Sequence, residues 1–155
     1  MSKLQTDRFG IVEYQDGNVI EFPSGLPGFE DEIRFLLVVN QTMEPLIFLQ
    51  SMATSTLCFT AVPVQCVDPV YQLKVSVGDR KLLGWEREDP SPSRTDHLCL
   101  GILCANDGKE PTVNLLGPIV IDQRRKIGVQ AVREDALYSA QHPLFPAERG
   151  DARCL

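Results

Sequence analysis

Apolar residues recur at every second position in short runs along this chain, and that period admits strands and little else. From Val70 to Val77, Tyr71, Leu73, Val75 and Val77 share one face while Gln72, Lys74 and Ser76 share the other. From His97 to Cys104, Leu98, Leu100, Ile102 and Cys104 alternate with Cys99, Gly101 and Leu103. Both faces of that run are apolar, which predicts a central strand. Leu57, Phe59 and Ala61 form another such set, as do Ile127, Val129 and Ala131. The longest apolar stretch, Phe35 to Val39, is far too short to span a bilayer and reads as a buried strand.

Between these runs stand turn residues. Phe9–Gln15 and Asn18–Phe22 flank Asp16-Gly17, which predicts a hairpin with Gly17 at positive φ. Pro63, Pro69, Pro111 and Pro118 fall between or at the starts of apolar runs, where a missing N–H does least damage. Helical spacing is scarce: the start of Glu30–Val39 allows a helical turn, though its later residues are β-formers, and Val132, Ala136, Leu137 and Ala140 allow a short C-terminal helix. Many short strands with turns between them, in 155 residues, predict one all-β domain, either a sandwich or a closed barrel. The domain is expected over residues 1–142, and the polar stretch 143–155 as a fraying tail. Residues 86–96 carry no large apolar side chain and are expected to form a mobile surface loop.

Composition excludes several function classes. A net charge of −6 argues against a phosphate-binding face for nucleic acid and suits a basic protein partner. The N-terminus lacks an apolar export signal, so a cytoplasmic protein is expected. The five cysteines, Cys58, Cys66, Cys99, Cys104 and Cys154, have no paired spacing and read as reduced thiols without a metal. For the two histidines, His97 and His142, a Cys–His or Ser–His catalytic pair could be assembled only by tertiary folding, no nucleophile carries a recognisable elbow, and no cofactor-binding motif is present.

The stretch Phe22-Pro23-Ser24-Gly25-Leu26-Pro27-Gly28-Phe29-Glu30-Asp31 tests that conclusion, because glycine-rich loops can cradle phosphate. Its prolines remove amide donors, and Glu30-Asp31-Glu32 would repel an anion. The remaining reading is structural. Pro23 and Pro27 fix φ, Gly25 and Gly28 permit tight turns, and Leu26 and Phe29 plug the core. Such a segment closes the end of a sheet, and its exposed edge is a candidate docking platform. Gln50, Asn114 and Gln130 are amides within apolar runs and are expected to satisfy backbone groups at corners. Trp85, the only tryptophan, is expected to be a partly buried core residue, with an interface anchor as the alternative.

Several segments, in order, resemble one bacterial family. They are Phe9-Gly10, Ile20-Glu21-Phe22-Pro23 running into Gly25–Glu30, Leu49-Gln50-Ser51 and Pro69-Val70-Tyr71. Asn114-Leu115, Pro118-Ile119-Val120-Ile121 and Gly128-Val129-Gln130 complete the set. The chain is similar in these pieces to FliW, the flagellar assembly factor family. The resemblance implies a small antiparallel β-barrel without enzymatic activity. It also implies two protein partners: CsrA, a translational repressor that binds messenger RNA, and flagellin, the filament subunit. In the implied cycle, export empties the flagellin pool, freed FliW captures CsrA, and flagellin mRNA is released from repression. Glu30, Asp31, Asp68 and Asp122 lie close to the family segments and are candidate contacts for the basic partner, together with Tyr71. Two rival readings are a small-ligand-binding barrel and a thiol hydrolase using Cys58 or Cys99 with His97.

Overall fold

The structure, a computed structural model, describes residues 1–85 and 96–145. Its strands are β1 (Ser2–Thr6), β2 (Gly10–Tyr14), β3 (Val19–Glu21), β4 (Arg34–Val39), β5 (Ile47–Ser51) and β6 (Cys58–Pro63). They continue with β7 (His97–Cys104), β8 (Thr112–Val113), β9 (Ile119–Asp122), β10 (Ile127–Gln130) and β11 (His142–Pro143). Two short helices, α1 (Val64–Val67) and α2 (Val77–Leu83), follow β6.

The strands β7-β6-β5-β4-β3-β10-β9 are neighbours in that order, and β9 pairs back onto β7, which closes a seven-stranded barrel. This is the barrel that the resemblance implied. One seam is parallel: β10 meets β3 at the single pair Ile127 and Glu21. The other barrel neighbours are antiparallel.

Alternation explains where the core sits. Ile20, Phe22, Phe35, Leu49, Ala61, Leu100, Ile119 and Ile121 point inward and fill the barrel, with Phe22 and Phe35 edge to face at 5.4 Å. Gly128 also faces inward. A Cβ there would lie 2.7 Å from the Phe22 ring, so only glycine leaves the ring its place. The outward residues of β7, β9 and β10, among them Cys99, Val120 and Val129, are apolar too, and belong to a second core. Tyr71, Leu73, Val75 and Leu83 cover them. A third apolar patch lies under the β1–β2 ribbon, where Phe9 meets buried Phe48 edge to face at 5.1 Å.

Four sequence expectations change. Residues 71–76 alternate in burial as expected but pair with no strand; they form an extended strap. Val77 leaves the pattern at 60% exposed because it opens α2. That helix starts where the Ser76 hydroxyl accepts from the Asp79 N–H at 3.1 Å and stops at Gly84, which has φ 80°.

Secondly, Asp16-Gly17 is not a hairpin turn, since β2 pairs with β1 and residues 16–18 form a 3-10 turn. The hairpin lies one step earlier. Thr6 Oγ1 accepts from the Phe9 N–H and donates to Gly10 O, and Gly10 takes the positive φ.

Thirdly, residues 132–140 form no helix. The Ala131 and Arg133 amides donate to Pro118 O and Leu116 O, and Ser139 O accepts from Leu115 N, so these groups bond outward instead of along a helix.

Finally, the expected boundary at residue 142 falls inside β11, which pairs with β8, and Leu144 packs against the outer core. Residues 86–95 of the loop expected over 86–96, and residues 146–155 of the expected tail, lie outside the described residues.

Candidate functional site

The Pro/Gly segment is a closed corner. Phe22 N donates to Ile33 O at 2.6 Å, Gly25 N to Phe22 O at 2.8 Å, and Leu26 and Phe29 exchange both backbone bonds. Gly25 has φ +66°, and a Cβ there would lie 2.5 Å from the Glu30 carbonyl oxygen, so the chain crosses itself at this point. Leu26 is buried in the barrel interior. Phe29 departs from the expectation of a plug: it is 40% exposed and rests edge to face on Phe59 at 5.4 Å, at the rim. Pro23 and Pro27 are exposed, while Pro118 is buried and its carbonyl accepts from Ala131 N.

The five candidate contact residues separate into two groups. Glu30 and Asp31 lie exposed on the corner. The Gly28 N–H donates to Glu30 Oε2 at 3.0 Å, which holds that carboxyl below the usual carboxylate range and fixes its direction. Asp68 is half-buried and caps its own turn by accepting from Val70 N at 3.0 Å.

Tyr71 and Asp122 require correction as surface contacts, because both are turned inward. The Tyr71 hydroxyl donates to Leu115 O at 2.7 Å, its ring lies on Tyr138 at 4.3 Å, and burial raises its pKa. Asp122 is 3% exposed. Burial disfavours its charge, but the Trp85 indole N–H at 2.9 Å, the Arg125 and Arg124 amides and the nearby His97 outweigh that and hold its pKa low. Its role is to clasp the end of α2 to β9.

The three amides act on the backbone. Gln50 Nε2 faces the carbonyls of Ser51, Thr54, Ser55 and Leu57. Asn114 Oδ1 accepts from the Leu116 and Gly117 amides, and Gln130 Nε2 donates to Gly117 O at 2.8 Å. Trp85 is partly buried against the outer core, with its ring on His97 at 4.3 Å.

Sequence reasoning missed Asp79. A cleft of about 240 Å³ lies between the corner and α2, with Gly25, Pro27 and Glu30 on one wall and Asp79 and Leu82 on the other. Gly128, Val129 and Gln130 of β10 line it between them. Ser76-x-x-Asp79 is a helix-start signature and would have placed Asp79 on α2, had the alternation not carried the strand reading through Val77.

Burial pushes the Cys99 thiol up to about 12 and also raises that of Cys58, which keeps both protonated and weakly nucleophilic at neutral pH. Among the described residues no group of three metal-ligating side chains is gathered. No described helix is long and apolar enough to cross a membrane.

Comparison with known proteins fits this geometry. The sequence model of the family described as "FliW protein" matches residues 3–144. The chain is 33% identical over 144 residues to a flagellar assembly factor FliW of Desulfitobacterium hafniense, covering 93% of this chain and 91% of that one. It is 30% identical over 145 residues to a FliW of Heliobacterium modesticaldum, covering 94% of this chain and 92% of the relative. A crystal structure of the flagellar assembly factor FliW superposes with a TM-score of 0.80 at 28% identity, covering 94% of this chain and 98% of the other. The family segments, the closed barrel and the near-complete coverage all agree: this chain belongs to the FliW family of flagellar assembly factors.

Proposed function

We propose that the protein controls flagellin synthesis by switching between two protein partners in the cytoplasm. It binds CsrA and lifts that repressor from flagellin mRNA, and it binds flagellin, which withholds it from CsrA. The observation that carries this reading is family membership across nearly the whole described chain. The charge of −6 supports it, since an acidic surface is drawn to a basic RNA-binding protein and repelled by RNA itself. No chemical step is required. A switch of this kind depends only on the two affinities measured against the cellular concentrations of three proteins.

The rival of a ligand-binding barrel is disfavoured by the interior, which Phe22, Phe35, Leu49, Leu100, Ile119 and Ile121 occupy with packed side chains. Calorimetric titration of the full chain with purified CsrA and with purified flagellin tests the proposal. Both complexes are expected to form, and added protein is expected to restore translation of a CsrA-repressed flagellin transcript unless flagellin is also present. Failure to bind either partner at low salt rejects it.

A further inference from the structure

The corner and α2 together build a receptor for one side chain. We infer that the cleft between them seats a lysine or arginine of the basic RNA-binding partner, an assignment that rests on the function proposed above. Glu30 and Asp79 stand on opposite walls and come from elements far apart in sequence. Among the described residues neither forms an ion pair, whereas Asp96, Asp122 and Asp135 each face an arginine of this chain. Among the described residues no lysine, arginine or histidine lines the cleft. Its two carboxylates are therefore left for a cation supplied from outside.

The remaining surface fits the rest of such a side chain. Pro27 and Leu82 offer apolar contact for an aliphatic stem, which long cationic residues bury while the charged head stays near carboxylates. Leu82 is 37% exposed, so part of this apolar wall is open. The volume of about 240 Å³ suits a single long side chain, not a helix or a strand, and makes the cleft an anchor point within a larger contact.

The walls are set before a partner arrives. Gly25 is locked by its approach to the Glu30 backbone, Gly128 by the Phe22 ring, and the Glu30 carboxylate by the Gly28 N–H. An anchor whose geometry is already fixed loses little conformational entropy on binding. Two carboxylates also exclude an RNA phosphate from the same place.

The test is calorimetric titration of the full chain with purified CsrA at low and moderate salt, comparing wild type, the E30Q/D79N double variant and D31N. The Glu30→Gln change keeps a side-chain oxygen to accept from the Gly28 N–H, and both positions are accessible, so the melting temperature of the double variant is expected to match wild type. CsrA affinity is expected to fall about tenfold or more in the double variant, with a shallower salt dependence. D31N, off the cleft, is expected to stay within about twofold of wild type, and flagellin binding to be unchanged. An unaltered CsrA affinity in the double variant overturns the assignment while leaving the proposed function intact. An equal loss in D31N, which would mark a general charge effect, overturns it too, and so does a loss confined to flagellin. Absence of CsrA binding by wild type rejects the function and this inference with it.

Discussion

The inner and outer faces of the wall formed by β7, β9 and β10 are both apolar, yet different means hold their partners in place. Inside, the strands that carry Phe22, Phe35 and Leu49 belong to the barrel or run into it, and their backbone groups bond strand to strand. Outside, the covering strap of residues 71–76 has no ladder. Side chains tie it down instead. Tyr71 donates to Leu115 O, the Gln72 N–H donates to the Tyr138 hydroxyl, and Arg133 donates to Gln72 O while paired with Asp135. Trp85 and Asp122 fasten the far end of α2. A polypeptide layer without a ladder must find other partners for its backbone, and at Gln72 the Tyr138 hydroxyl and Arg133 provide them.

If that contrast holds, the two layers should fail differently. Phe35→Ala should have the largest effect, about 3–5 kcal/mol, because it opens a cavity in the sealed interior, and chemical denaturation should show one transition. Leu83→Ala should cost about 2–4 kcal/mol, but hydrogen exchange should show fast amides in the strap and α2 while those of β4, β5 and β6 stay protected. Equal loss of protection in both layers would merge them into one cooperative unit and break the comparison.

Tyr71→Phe sharpens it. Removing one hydroxyl leaves the Leu115 carbonyl buried without its donor, which should cost about 1–3 kcal/mol, seen as a lower denaturation midpoint.

The smallest effect concerns pH. The Asp122 carboxyl has a lower pKa folded than unfolded, so its stabilisation is complete above about pH 5 and disappears as pH falls through the folded value. The melting temperature of wild type should therefore fall more steeply than that of Asp122→Asn between about pH 5 and pH 2.5. Parallel curves would remove Asp122 from the clasp.

How much of this was legible in the sequence follows from the same contrast. Alternation identified the two-faced strand at 98–104, where Leu98, Leu100 and Ile102 face the interior and Cys99 and Leu103 the outer core. The same alternation at 71–75 reported burial correctly and pairing wrongly, because a period of two records which side faces a core and not what the backbone bonds to. Asp16-Gly17 carried a turn signal, but the partner of β2 was the unremarked strand Ser2–Thr6. The corner was legible because prolines and glycines constrain the backbone locally. Asp122 was not, since its partner Trp85 lies 37 residues away and only the closed barrel brings the two together. Of the two carboxylates on the cleft, Glu30 sat in a recognisable motif, whereas Asp79 depended on a helix that the apolar rhythm concealed.

The placement of Trp85 has a practical consequence. As the sole indole in 155 residues, stacked on His97 and bonded to Asp122, it makes the tryptophan emission of this protein a report on the outer layer alone. Detachment of α2 would change that emission while the barrel stayed closed, so events beside the cleft can be followed optically without attaching a dye.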